Sequence, residues 1–194
     1  MPVLEVTQLR LKELSADDPA LLESLQTVRA ELQTGSHFYN CIDDPSLIYI
    51  LGTWPSLDAH IDFLASPSKD HILGPQEKML QFCWTLHVEL GGVDWLSLDA
   101  PFLAIERISV SKESTWVFDE AVQRHAQQLQ GSHPFKLAHG WRCDAARNHH
   151  EAIVFSAWQT PQAHVAFAAK DSQDGQYKTL QMTCARNLER EVVH

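Results

Sequence analysis

"TWPSLDAHIDFLAS", residues 53–66, has a counterpart later in the chain, "AWQTPQAHVAFAAK" at 157–170. In each copy a strand-like run leads to a Trp, and a helix-capping residue follows, Ser in the first copy and Thr in the second. Four side chains recur 104 positions later, where Trp54, Ala59, His60 and Phe63 are matched by Trp158, Ala163, His164 and Phe167. The repeat predicts that the same strand-to-helix corner occurs twice.

The sequence around the first corner predicts two helices and four strands in the order βαββαβ. Asp18 and Pro19 predict the start of the first helix, and Ser56 predicts the start of the second. Period-two alternation and β-branched residues indicate the strands, which are "VLEVTQLRL" (3–11), "HFYNCI" (37–42), "SLIYILGTW" (46–54) and "QFCWTLHVEL" (81–90).

The same order begins again after the connector "GGVDWLSLDAP" at 91–101. A sheet with helices on one face needs cover on the other face, and a second copy of the unit supplies it. We therefore predict an α+β protein made of two tandem ferredoxin-like units, residues 1–91 and 101–190, with antiparallel sheets packed as an intramolecular pair. Further homodimerisation is left open.

A shorter echo suggests how the second strands of the two units align. His37, Tyr39 and Cys41 are two positions apart along the chain. They are matched 102 positions later by His139, Trp141 and Cys143. Each set would line one face of its strand, as an aromatic wall with a buried thiol or as part of a zinc site. The wall is favoured, because a zinc site would need carboxylate or further Cys ligands that the pattern lacks. Arg142 would face solvent on the opposite side.

Composition excludes several functional classes. The chain has 194 residues, and its net charge of −10 disfavours binding to nucleic acid or to an anionic membrane. No secretory signal and no membrane-spanning run is evident, which predicts a cytoplasmic protein. The dinucleotide, P-loop, serine-hydrolase and zincin motifs are missing from the sequence.

The segments "WPSLDAHIDFLASP", "LIYILGTW" and "FCWTLHVEL" resemble the antibiotic biosynthesis monooxygenase-like group of the dimeric α/β-barrel superfamily, in particular its fungal members. The resemblance covers nearly the whole chain as two tandem units. It implies an eight-stranded barrel, cavities between sheet and helices, and cofactor-free oxidation of aromatic polyketides, although relatives include cyclases, isomerases, decarboxylases and haem-degrading enzymes. The helical His usual in the group is replaced here by Phe63.

Two histidines are candidate catalytic residues. His60 would lie in the first turn of its helix, where the helix dipole favours the neutral imidazole that a general base needs. Its recurrence as His164 also fits a purely structural hydrogen bond. His87 shares the polar face of its strand with Thr85 and Glu89 and has no counterpart in the second unit. It therefore fits either a single active site or a structural pair with Glu89 or with a barrel-facing hydroxyl.

From these residues we expect a small aromatic or polyketide-like ligand in a sheet–helix cavity of the first unit, with His37 as a further contact. The predicted walls are Tyr39, Trp54, Phe63 and Trp84. His-assisted proton transfer would lead to oxygenation or to cyclisation and isomerisation, as in secondary metabolism. The alternative is a non-catalytic binding or scaffold protein that supports a partner enzyme.

No cofactor and no metal is expected, since their motifs are missing. Haem is the hardest of these to exclude, because a single axial histidine suffices to bind it. His60, His87 and His164 are each able in principle to serve as that ligand.

Overall fold

A computed structural model describes residues 1–89, 98–129, 137–168 and 177–190, without the side chains of residues 166–168. Most of the predicted connector at 91–101 and the side chain of Phe167 therefore lie outside the described residues. We refer to residues 1–89 as the first half and to the described residues after 97 as the second half.

The described residues form eight strands and five α-helices. The strands are β1 (Val3–Leu11), β2 (His37–Cys41), β3 (Leu47–Trp54), β4 (Leu80–Glu89), β5 (Phe102–Val110), β6 (Leu137–Arg142), β7 (His150–Trp158) and β8 (Lys178–Asn187). The helices are α1 (Pro19–Leu32), α2 (Leu57–Ala65), α3 (Pro67–Leu73), α4 (Thr115–Leu129) and α5 (Pro161–Ala168). Within the described ranges, no helix is long and apolar enough to cross a membrane.

The helix starts follow from local sequence. The Asp18 side chain accepts a hydrogen bond from the Ala20 amide at 2.9 Å, and a proline occupies the first turn of α1. Ser56 caps α2 in the same way, through the Ala59 amide at 3.1 Å. Both predicted caps are confirmed. Ser66 then separates α2 from α3, so that the second predicted helix is divided into two.

The eight strands close into one antiparallel barrel in the order β1-β3-β2-β8-β5-β7-β6-β4. Two seams join the halves, β2 with β8 and β4 with β6. The predicted α+β class with antiparallel strands is confirmed. The expected eight-stranded barrel is also confirmed, and backbone hydrogen bonds carry the strands from one half to the other at the two seams.

Alternate residues of each strand face the inside of the barrel or the helices outside it. In β1, Leu4 and Val6 belong to the core inside the barrel. Glu5 and Thr7 face outward and line the space beneath the helices of the first half. The barrel interior is therefore filled mainly by apolar side chains, together with a hydrogen-bonded set that includes Gln8, Tyr49 and Thr183, and the cavity described below lies outside it.

The short echo predicted the wrong register for the second strands. Measured from the two corner tryptophans, strand pairing places Phe38, and not His37, at the position of His139, an offset of 101 residues. Tyr39 consequently lies inside the barrel, whereas Trp141 packs outside it beside α4. The two matched sets of residues face opposite sides of the barrel wall, so they do not form equivalent sites.

Candidate functional site

A cavity of about 500 Å³ lies in the first half, between the outer face of the barrel and helices α1 to α3. This volume is within the range of small-molecule sites. Aliphatic and aromatic side chains form most of its wall, among them Leu9, Leu25, Val28, Phe38, Ile50, Trp54, Phe63 and Phe82. The polar groups on one part of the wall include Glu5, Thr7, His60 and Thr85.

Trp54, His60 and Phe63 form an aromatic stack at the corner where β3 leads into α2. The His60 ring lies on the Trp54 indole, with centroids 4.4 Å apart and an interplanar angle of 14°. Phe63 follows on the same indole at 5.6 Å. The Ser56 cap fixes the start of α2 and thereby directs His60 to the cavity. Three of the residues predicted for the site are thus brought together.

Glu5 is the cavity carboxylate that lies beside His60, and sequence reasoning did not identify it. Its Oε2 accepts a hydrogen bond from Trp54 Nε1 at 2.6 Å, and its Oε1 accepts one from the Thr7 hydroxyl at 2.5 Å. Oε2 also lies 3.8 Å from His60 Nε2. The available sequence signal for Glu5 was its position as an acidic residue among the apolar residues of β1. Its contact with the histidine depends on the fold.

His60 and His87 are hydrogen-bonded to each other. The distance from His60 Nδ1 to His87 Nε2 is 2.6 Å, and both residues are buried. The second ring nitrogen of His87, Nδ1, lies 2.9 Å from Asp144 Oδ2. The predicted alternative of a pair with Glu89 is therefore corrected, because the carboxylate partner comes from the turn after β6 in the second half.

Burial is the largest influence on the pKa of His60. It lowers the pKa of His60; the nearby Glu5 carboxylate opposes the shift and His87 adds to it. Since the ordinary pKa of a histidine is about 6.5, His60 is uncharged at neutral pH. For Asp144, burial alone would raise the pKa, but hydrogen bonds from His87 and Arg142 outweigh burial and hold it below the ordinary value.

Arg142 anchors Asp144 to a polar network at the seam. Its Nε donates to Asp144 Oδ1 at 2.6 Å, and its Nη1 donates to Glu151 Oε2 at 3.0 Å. Glu151 also accepts from Arg107 Nε at 2.6 Å. The expectation that Arg142 is solvated is wrong, because its guanidinium is half-buried and bound by two carboxylates.

Tyr39 and His37 do not line the cavity. Tyr39 is fully buried inside the barrel, and its hydroxyl donates to the Leu98 carbonyl at 2.6 Å. His37 lies two residues earlier on the same strand, and its burial lowers its pKa. The predicted contacts of these residues with a ligand in the sheet–helix cavity are therefore corrected.

Trp84 also lies away from the cavity, because it shares the inward face of β4 with Leu86 and Val88, opposite to Thr85 and His87. Gln8 pairs with Trp84 but the next residue of β1, Leu9, pairs with Phe82, so Cys83 is an extra residue. Trp84 packs against the core inside the barrel, while the extra residue turns Phe82 to the cavity. Strict alternation would place both aromatic residues on the same, inward side.

The second half lacks the histidine pair. Strand register places Ala104 where the first half has Glu5, and Cys184 where it has His87. Trp158 Nε1 donates to the Ser156 hydroxyl at 2.7 Å instead of to a carboxylate. The recurring histidine, His164, is buried with Nε2 3.9 Å from a glutamate at a different strand position. The two corners share their packing and differ in their chemistry.

A metal site with three or more protein ligands does not fit the described residues, since no group of three or more His, Cys, Asp or Glu side chains among them is placed to hold a metal ion. An axial haem ligand needs one free ring nitrogen. His87 has both ring nitrogens in hydrogen bonds, so it does not supply one. The Nε2 atoms of His60 and His164 lie 3.8 Å and 3.9 Å from carboxylate oxygens, so no hydrogen bond to those carboxylates occupies either nitrogen.

No protein-family model matches the sequence, and no curated protein matches it. Solved structures resemble the fold over almost the whole chain. A candidate monooxygenase from Fusobacterium nucleatum is 11% identical, with 97% of this chain and 93% of that chain aligned and a TM-score of 0.63. An anthrone oxidase-like protein is 14% identical, with 97% and 94% aligned and a TM-score of 0.58.

A haem-binding protein from Thermus thermophilus is also similar, at 9% identity, with 96% of this chain and 90% of that chain aligned and a TM-score of 0.59. At identities this low the likeness shows the fold alone, which is a dimeric α/β-barrel-like fold. Activity, ligand and cofactor have to be argued from the site.

Proposed function

We propose that the chain is a tandem of two ferredoxin-like units, residues 1–91 and 101–190, related to the antibiotic biosynthesis monooxygenase-like group. The order of helices and strands recurs in both parts, and the corner residues recur at a constant spacing. In this proposal the first unit keeps a reactive cavity, and the second unit closes the barrel.

The proposed activity is cofactor-independent conversion of a small aromatic or polyketide-like metabolite, begun by proton transfer to His60. The observation that carries it is a row of consecutive contacts from Asp144 through His87 and His60 to Glu5. Glu5 and His60 line a cavity whose wall is mostly apolar. A neutral imidazole is the form that accepts a proton from a phenol or from an activated methylene. Burial keeps His60 in that form.

The same surroundings stabilise the imidazolium once the proton has been transferred. Glu5 Oε2, at 3.8 Å from Nε2, supplies a nearby negative charge, and the face of the Trp54 indole stacks against the ring. His87 Nε2 accepts a hydrogen bond from the other nitrogen of His60, Nδ1, which carries a proton in the imidazolium. Burial therefore keeps the base neutral at rest, and Glu5 offsets part of the cost of charging it.

The resulting phenolate or carbanion has two outcomes that the cavity supports equally. It reacts with O₂, or it attacks a carbonyl group of the same molecule and closes a ring. Anthrone is a suitable first probe, because one structural neighbour is an anthrone oxidase-like protein. In the oxidation, the methylene carbon loses two hydrogens and gains one oxygen atom from O₂, and the second oxygen atom leaves as water.

The experiment compares His60→Gln with His164→Gln, which removes the recurring histidine from the second half. Anthrone turnover is followed by absorbance and O₂ uptake, under air and under argon. We expect H60Q to lower kcat about 10²–10⁴-fold and H164Q to leave it near the wild-type value. Equal rates in both variants would contradict the assignment, and saturable binding of all probes without turnover would favour a non-catalytic binding protein.

A further inference from the structure

The carboxylate at the end of the histidine row belongs to the other half of the chain. Asp144 follows β6, which pairs with β4 at one of the two seams, and the Cys143 amide donates to the His87 carbonyl at 2.9 Å. We propose that Asp144 is a positioning residue that fixes the tautomers of His87 and His60, so that His60 presents an unprotonated Nε2 to the cavity. The role of Asp144 in catalysis rests on the proposed function, whereas the assignment of the tautomers does not.

The tautomers follow from the order of donors and acceptors. Asp144 Oδ1 accepts from Arg142 Nε, and Oδ2 lies 2.9 Å from His87 Nδ1. A carboxylate only accepts, so the proton of neutral His87 is on Nδ1 and its Nε2 has a free lone pair. The 2.6 Å contact with His60 then requires His60 Nδ1 to donate. Neutral His60 is left with an unprotonated Nε2.

The polar and charged groups that face His60 and His87 come from several segments of the chain. His60 faces Glu5 from β1 and His87 from β4, and His87 faces Asp144 from across the seam. Arg142 keeps Asp144 ionised and is itself bound to Glu151. Because His60 and His87 are almost fully buried, water does not compete freely for these hydrogen bonds.

The opposite seam provides a matched control. The Ile42 amide donates to the Cys184 carbonyl at 2.9 Å, as the Cys143 amide does to His87. Asp43 therefore occupies the position that corresponds to Asp144. Cys184 stands where His87 would be, and its burial, with Asp43 nearby, raises the pKa of the thiol to about 11. Asp43 has no histidine row to orient.

The test is Asp144→Asn, with Asp43→Asn as control, read by ¹⁵N NMR of the imidazole nitrogens at about pH 8, where a histidine of ordinary pKa is neutral. Arg142 will hold the amide oxygen of the new side chain, which turns its NH₂ group to His87 Nδ1. That nitrogen then has to accept, so the proton moves to Nε2 in His87 and, through the shared hydrogen bond, to Nε2 in His60. An Asp-to-Asn change is known to reverse a histidine tautomer without disturbing geometry.

We expect both histidines to carry the proton on Nδ1 in the wild type and in D43N, and on Nε2 in D144N. A wild-type His60 protonated on Nε2, or a D144N spectrum unchanged from the wild type, would overturn the inference. If D144N fails to fold, the wild-type spectrum alone still decides, because it reports the tautomers directly.

Activity is a separate readout. If the tautomers reverse and anthrone turnover falls at least about 10²-fold, positioning and proposed function are both supported. If the tautomers reverse while even the wild type turns over no probe, the positioning role stands and the proposed reaction fails.

Discussion

Replacing Trp54 by Phe tests the hydrogen bond between the corner and the carboxylate of the cavity. The change removes the indole N–H that donates to Glu5 Oε2 at 2.6 Å, but it keeps an aromatic ring beside His60. The Glu5 side chain is only 14% exposed, so water replaces the lost donor poorly. A hydrogen bond to a charged group contributes about 1.5–3 kcal/mol to stability, against about 0.5–1.5 kcal/mol for a neutral pair.

The second half supplies the matched neutral pair. Trp158 Nε1 donates to the Ser156 hydroxyl at 2.7 Å, and both tryptophans are buried. The loss of indole packing is similar in W54F and W158F, whereas the lost hydrogen bond differs in charge. We therefore expect W54F to lower the free energy of unfolding by about 1 kcal/mol more than W158F.

The measurement is urea unfolding followed by far-UV circular dichroism, because the substitutions alter tryptophan fluorescence. With a slope of about 2 kcal/mol per molar urea, the expected difference moves the midpoint by about 0.5 M. Two double-mutant cycles isolate the bonds, W54F with Glu5→Ala and W158F with Ser156→Ala. Alanine is the residue that the second half carries at the Glu5 position.

The coupling energy should be about 1.5–3 kcal/mol for the Trp54 cycle and about 0.5–1.5 kcal/mol for the Trp158 cycle. If the Trp54 cycle is additive within about 0.5 kcal/mol, the bond to the carboxylate does not stabilise the corner, and the reasoning is refuted.

Two further predictions concern His60 and Tyr39. Because burial lowers the folded-state pKa of His60, the unfolded chain binds this proton more readily, and the free energy of unfolding should fall as the pH drops below about 6.5. Urea midpoints of wild type and H60Q at several pH values should converge as the pH falls from neutral to about 5; parallel curves would show that His60 does not cause the loss. Tyr39→Phe should cost about 1–3 kcal/mol, since it leaves the buried Leu98 carbonyl without its donor at 2.6 Å. The affinity of Y39F for anthrone, measured by calorimetry, should be unchanged, and weaker binding would place Tyr39 in the ligand site after all.

The parts of the fold that the sequence predicts are local. The caps at Asp18 and Ser56 depend on a side chain and an amide two or three residues away, so the helix starts are readable from the sequence. The corner with Trp54 and His60 is also local, since the cap sets the direction of the first helical turn. These residues were therefore predicted together and lie together.

The predictions that failed depend on register and on one extra residue. The echo that matched His37 with His139 was off by one position, and a shift of one residue moves a side chain to the opposite face of a strand. Trp84 was assigned to the cavity although regular alternation already places it opposite to His87, and Phe82 was missed because the extra residue at Cys83 has no signature in the sequence. Strict alternation is a reliable guide only while the pairing is regular.

Asp144 was missed for a different reason. It lies 57 residues from His87 and in the other half of the chain, and only the closure of the barrel brings them together. Nothing in the sequence near Asp144 distinguishes it from other acidic residues in turns. Long-range pairs of this kind require the strand order, which neither composition nor spacing supplies.

Closure of the barrel by a single chain has a genetic consequence. In an assembly of two identical chains, any substitution at one seam reappears at the other, so both cavities change together. Here the two seams are encoded separately, and a codon change at Asp144 leaves Asp43 as it was. Residues that serve a reaction are thus free to accumulate at one cavity, while the residues at the opposite seam need only support folding.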